Sequence, residues 1–108
     1  MKNLEIIMLP VKDQQKAKTV YLKLGFKVIV EAPGEHGETW LQMGLPNQKT
    51  SITFATFHGI ICETDNVDNE MKVLKTKGIE IERIEKTPWG RYAWMKVADG
   101  NGICLHQK

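Results

Sequence analysis

Hydrophobic and polar positions follow one plan along this chain, and the plan is written twice. In the opening stretch LEIIMLP a period of two puts Ile6 and Met8 on one side of a strand and Ile7 and Leu9 on the other. Both sides are apolar, as in a strand packed between a helix and a cavity. A helical period follows, with Ala17, Val20, Tyr21 and Leu24 at i, i+3, i+4 and i+7. Asp13 is placed to cap this helix and Gly25 to end it. The extended segments FKVIVEA, ETWLQM and SITFAT complete the first copy. The second copy runs HGIICETD, then a helix with Asp65 or Asn66 as cap, Val67, Met71 and Leu74 as its stripe and Gly78 as its stop, then IEIERIE, YAWMKVAD and GICLH. Within it, His58, Ile60 and Cys62 share one strand face, and Gly102, Cys104 and His106 share another. Asp13 and Asp65 lie 52 residues apart, and Trp40 and Trp94 lie 54 apart.

A repeat of this length predicts two βαβββ modules, residues 1–56 and 57–108, neither of which can bury its apolar face alone. The expected fold is a single α+β domain over residues 1–108, a curled mixed sheet around a cleft with the helices on its outer face. The modules can pair within a chain or swap between chains, since both arrangements bring the same strands together. PGEHGE, GLPNQ, TPWGR and DGNG read as turns, and none is long enough for an interdomain linker.

Composition narrows the function classes. With 42% hydrophobic and 26% charged residues the chain has the profile of an ordinary globular domain. The 15 basic and 13 acidic residues are scattered without a basic block, so nucleic acid is not an expected partner. No apolar run approaches a membrane span and the start MKNLEIIMLP lacks a signal-peptide core, which makes the cytoplasm the expected location and a membrane an unexpected partner. Two cysteines without CxxC spacing read as reduced, small apolar residues.

The order of LPVKD before the first helix, LGF after it, then HGIICETD, KGI and TPWGRYAWMKVADGNG resembles the glyoxalase/bleomycin-resistance/dioxygenase family, also called the vicinal oxygen chelate superfamily. Its most specific part is Pro88 to Asn101, similar to the family's PxG and DPDGN signature, although Val97 and Ala98 replace the usual Asp-Pro. The resemblance implies two modules curled around a cleft, where metal-dependent members hold a divalent ion with His and Glu from several strands. The ion serves them as a Lewis acid on a bidentate oxygen substrate. It implies ligand positions at Ile6, His58, Cys104 and near Phe54, of which only His58 carries a usual donor. Isoleucine and phenylalanine have no lone pair to give, so the standard metal site is expected to be absent and no cofactor is expected.

The remaining candidates follow from side-chain chemistry. Trp40, Trp94 and Tyr92 on the third strands, with Met8, Met43 and Met95 as flexible apolar fillers, suit a flat or hydrophobic small molecule. Arg91, beside Gly90 in a loop, is a candidate clamp for an acidic group, and His58 a candidate hydrogen-bond donor to ligand. Glu38 and Glu63 are candidate cleft acids. A softer zinc site from His58, His106, Cys62 and Cys104 is the weaker alternative to two buried cysteines and a terminal histidine near solvent. His36 is expected to be an exposed turn residue. Asp13, Asp65 and Asp99 read as cap and turn residues. The expected protein is a homodimer that binds a small, partly aromatic molecule without metal. The alternative is a metal-dependent lyase or dioxygenase with an unusual ligand set that includes His58; a third reading has the cleft filled by its own side chains.

Overall fold

The computed structural model describes residues 1–34, 37–95 and 100–108. His36 and Asp99, read above as turn residues, lie outside the described residues. The chain runs β1 (Asn3–Pro10), α1 (Gln14–Lys23), β2 (Lys27–Pro33), β3 (Thr39–Gly44), β4 (Ser51–Ala55), β5 (Gly59–Glu63), α2 (Val67–Thr76), β6 (Ile81–Thr87), β7 (Gly90–Met95) and β8 (Gly102–Gln107). All eight strands join in one curled sheet, ordered β2-β3-β4-β1-β5-β8-β7-β6.

Each half repeats the same connection: its first strand pairs parallel with its last, β1 with β4 and β5 with β8, and the remaining pairings are antiparallel. β1 then pairs antiparallel with β5 in the same chain, with Ile6 opposite Ile61 and Met8 opposite Gly59. The halves are therefore joined edge to edge through their first strands, within one chain.

Both helices start and stop where side-chain chemistry dictates. The Asp13 carboxylate accepts from the Gln15 and Lys16 amides, and the Asn66 side chain accepts from the Asn69 amide. Gly25 and Gly78 follow the two helices at φ +102° and +82°, a region a side chain disfavours. Asn66, and not Asp65, is thus the second cap, and the two helices begin 53 residues apart, at Gln14 and Val67. That single residue of offset matters for the site below.

The helices cover the same face of the sheet. Leu41, Met43 and Phe54 pack under α1 with Ala17 and Tyr21, and the Tyr21 and Phe54 rings meet edge-on at 5.0 Å. Val20 and Leu24 are 54% and 64% exposed, so the apolar stripe of α1 is narrower than the helical period suggested. Val67, Leu74 and Met71 of α2 pack against Cys62, Ala93, Met95 and Leu105. Among the described residues no helix is long and apolar enough to cross a membrane.

Candidate functional site

The period of two leaves the opposite, concave face to the alternate residues. Ile6, Met8, Ile61 and Cys104 form its floor, each 3% exposed or less. Trp40 from β3, Ala55 from β4 and Tyr92 and Trp94 from β7 are half-buried against that floor. The curl brings together Trp40, Trp94, Tyr92 and Met8 from three separate strands, β3, β7 and β1, as the strand periods imply. Met43 and Met95, by contrast, face the helices, because each is an odd number of residues from the tryptophan on its own strand.

Two ends of this face differ in chemistry. At one end β5 and β8 begin with glycine, and Gly59 lies beside Gly102. A side chain at Gly59 would collide with Met8 Cε and the Gly102 carbonyl. A cavity of about 320 Å³ opens there, lined by Phe57, Arg83, Trp94, Asn101 and Gly102, next to one of about 360 Å³ lined by Met8, Gly59 and the helix-side Ile7, Leu9, Ile60 and Ile103. These volumes are in the range of small-molecule sites. The far end is closed. His106, 3% exposed, places Nδ1 2.8 Å from Glu5 Oε1 and Nε2 2.8 Å from the Trp89 carbonyl, while the Tyr92 ring stacks flat on its imidazole at 4.1 Å. The terminal histidine is therefore buried, correcting the expectation of a solvated one: the curl folds β8 under the β6–β7 turn.

Several candidate residues sit elsewhere. Arg91 alternates with Tyr92 and points to the helix side, where Nη1 and Nη2 both donate to the Asp68 carboxylate at 3.0 Å. Its guanidinium is committed to α2 and not to the cleft. His58, by contrast, is exposed ahead of β5 and lines the cavity of about 360 Å³ with Met8 and Gly59. Glu63 lies opposite His106 with Lys108 Nζ 3.6 Å away, and Glu38 is exposed in the turn before β3. Phe57, Arg83 and Gly102 line the open end although nothing in the apolar pattern marked them as site residues; the one signal was Gly102 sharing a strand face with Cys104.

The positions that a divalent ion of this fold would use can be tested one by one. With Asn66 as the true cap, the residue corresponding to Ile6 is Gly59 and not His58, since each lies seven residues before its cap. Phe54 faces α1, and the β4 residues that share the face of Ile6 and Met8 are Ser51, Thr53 and Ala55, of which only the first two carry an oxygen. Their hydroxyls are engaged, Ser51 accepting from Gln42 Nε2 and Thr53 donating to the Leu41 carbonyl. Burial, with the Glu85 carboxylate adding to it, pushes the Cys104 thiol well above its ordinary range, so it stays protonated. An aliphatic side chain, a bare backbone, two engaged hydroxyls and a neutral thiol do not fit a hard divalent ion. Among the described residues no three His, Cys, Asp or Glu side chains gather as a metal site. Cys62 and Cys104 lie on opposite faces of the sheet, so the softer zinc set does not assemble either.

The raised thiol has a consequence for stability. The unfolded chain releases the Cys104 proton above about pH 8.5 while the folded chain keeps it, so the native state binds more protons there and loses stability as pH rises. Tyr92, pushed up by burial and then by Glu5, adds to this above about pH 10. Denaturation midpoints should fall between pH 8.5 and 10.5, with a limit of about 1.4 kcal/mol per pH unit for each group, and Cys104→Ala should flatten the fall. A flat profile, or alkylation of Cys104 in the native protein as fast as in urea, would refute the buried neutral thiol.

Comparison with known proteins agrees with this architecture. The family model for the glyoxalase/bleomycin resistance protein/dioxygenase superfamily matches residues 3–105. The chain belongs to this superfamily. Methylmalonyl-CoA epimerase from Mycobacterium tuberculosis shares the fold at a TM-score of 0.83 and 16% identity, covering 97% of this chain and 87% of that one. The hypothetical protein BH1468 from Bacillus halodurans C-125 superposes at 0.79 with 12% identity, covering 97% and 93%. TnmS3, described as an antibiotic binding protein from Streptomyces sp. CB03234, is 32% identical over 99% of this chain and 96% of its own, with a TM-score of 0.48. No curated protein matches. Within the superfamily this chain keeps the curled sheet and carries apolar residues on its floor.

Proposed function

We propose that this superfamily member is a binding protein that holds a small, flat, largely hydrophobic molecule on the concave face of its sheet. One observation carries the reading: Ile6, Gly59 and Cys104 stand where metal donors would, and Trp40, Tyr92, Trp94 and Met8 surround them. Aromatic and thioether groups offer contact area and polarizability to a flat ligand, and burying apolar surface supplies the driving force. The metal-dependent alternative required His58 among its ligands; His58 lines the second cavity, but among the described residues no other His, Cys, Asp or Glu lines it with His58. Cytoplasmic location belongs to the same proposal, supported by two unpaired, buried cysteines. So does a homodimer, for which Ile29 and Leu45, 54% and 45% exposed beside the free edge of β2, offer apolar surface.

A thermal-shift screen tests the reading, since a ligand that binds only the folded state raises Tm. One panel holds flat aromatic compounds, with antibiotics included because of the TnmS3 description, and the other holds divalent metal chlorides. The expected result is a shift with members of the first panel alone, with light scattering on the same sample giving twice the chain mass. A shift with a metal and none with any organic compound would overturn the binding reading.

A further inference from the structure

The open end of the concave face has a geometry that specifies more than apolarity. Phe57 sits at the centre of the short link between β4 and β5, 42% exposed, and turns its ring to Trp94 at a centroid distance of 5.9 Å and an angle of 65°. Both rings converge on Gly102. A Cβ there would lie 3.2 Å from Phe57 Cε2 and 3.2 Å from Trp94 Cζ3. The backbone of Gly102 is outside the left-handed region, so its conformation does not demand glycine; a side chain there would crowd both rings and raise the floor between them. The result is a strip of bare backbone flanked by two aromatic rings, inside the cavity of about 320 Å³.

The far wall of that cavity is Arg83, whose guanidinium carbon lies 5.1 Å from the Trp94 ring centroid. Its Nε donates to Glu85 Oε1 at 2.8 Å, and Glu82 lines the same cavity with a second carboxylate. An acidic ligand would meet one paired cation and two carboxylates, whereas an uncharged ring would meet flat surfaces on three sides. With Glu82 and Glu85 against one arginine, the local charge is net negative and disfavours an anion.

Resting on the binding reading above, we propose that Phe57, Trp94 and the bare backbone at Gly102 form a slot for an uncharged planar ring system. Arg83 closes the slot by stacking and not as a partner for an anion. The ring lies in the cavity over the bare backbone of Gly102, against the touching Phe57 and Trp94 rings and not between them.

The test uses the full chain and two probes of equal size, 2-naphthamide and 2-naphthoate, titrated by calorimetry. The amide should bind at least about tenfold tighter than the acid, the equivalent of about 1.4 kcal/mol. Phe57→Ala should weaken the amide by about tenfold, as loss of an aromatic contact does. Gly102→Ala should weaken it too, by filling the slot, and an unchanged circular dichroism spectrum identifies the folded samples. Phe57 is substantially exposed, so its variant keeps the test informative if Gly102→Ala fails to fold. Equal affinity for acid and amide, or an amide affinity unmoved by Phe57→Ala, would overturn the slot while leaving binding elsewhere on the concave face intact. Failure of both probes to bind would also overturn the slot, and the broader screen would then judge the binding reading separately.

Discussion

Cys104→Glu, which restores a carboxylate where metal-dependent relatives of this fold are expected to carry one, should destabilise the protein by about 3 kcal/mol or more and lower Tm by about 10 °C or more. Cys104 is fully buried, and its neighbours on the floor are Ile6, Met8 and Ile61. None of these can pair with a charge, and the cation in electrostatic reach, Arg83, is opposed by Glu85, so the introduced carboxyl is either desolvated as an anion or forced to remain protonated. Added manganese or zinc should not rescue it, because Ile6 and Gly59 bring no donor to complete a coordination shell. Cys104→Ala is the control for lost volume, with an expected loss of about 1 kcal/mol. A Cys104→Glu protein with native Tm, or one restored by metal, would show that the floor holds donors this account does not assign.

Removing His106 should have the second large effect. Its imidazole links three segments distant in sequence: its own strand β8, Glu5 on β1 in the other half, and the Trp89 carbonyl in the β6–β7 turn. His106→Ala leaves the Glu5 carboxylate, 14% exposed, facing a cavity without its donor. The expected loss is about 2–4 kcal/mol, most of it the desolvated carboxylate and not the lost attraction. The double variant Glu5→Leu, His106→Leu should therefore recover more than half of that loss, because it removes both polar partners together. Urea denaturation of the two single variants and the double variant checks this. A single variant within about 0.5 kcal/mol of wild type would mean the link carries no stability.

The layout of the sheet was legible in the sequence because the two faces of each strand are chemically distinct. Ile6 with Met8 and Cys104 with His106 announce one face, Ile7 with Leu9 and Ile60 with Cys62 the other, and the structure keeps every one of these pairings. The helices were legible from their ends, where Asp13, Gly25 and Gly78 each do what their chemistry favours.

What the sequence left open depended on a count of one. Counting from Asp65 makes His58 correspond to Ile6, whereas the observed cap, Asn66, makes the corresponding residue Gly59 and puts His58 on the opposite side of the strand. A slip of one residue exchanges the faces of a strand, so two adjacent cap-forming residues were enough to displace a site residue. Phe54 was misplaced for a related reason, since strand alternation assigns a face only once a neighbour's face is known and its ring is tied to α1; Arg91, read as a loop residue, lies instead in β7 and pairs with Asp68. The burial of His106 could not be read locally either, since Glu5 lies 101 residues away. Phe57 lies in a link with no period at all, and its partnership with Trp94 arises only from how the halves close.

On the proposed function, the concave floor is an apolar surface for an organic molecule and not a coordination site. Its most direct test is elemental analysis of the purified full chain after exposure to zinc, manganese and nickel and removal of loosely held ions by gel filtration. Metal far below one equivalent per chain is expected, because the floor presents Ile6, Met8, Gly59, Ile61 and a protonated Cys104. One tightly held ion per chain, lost together with native stability on chelation, would contradict it.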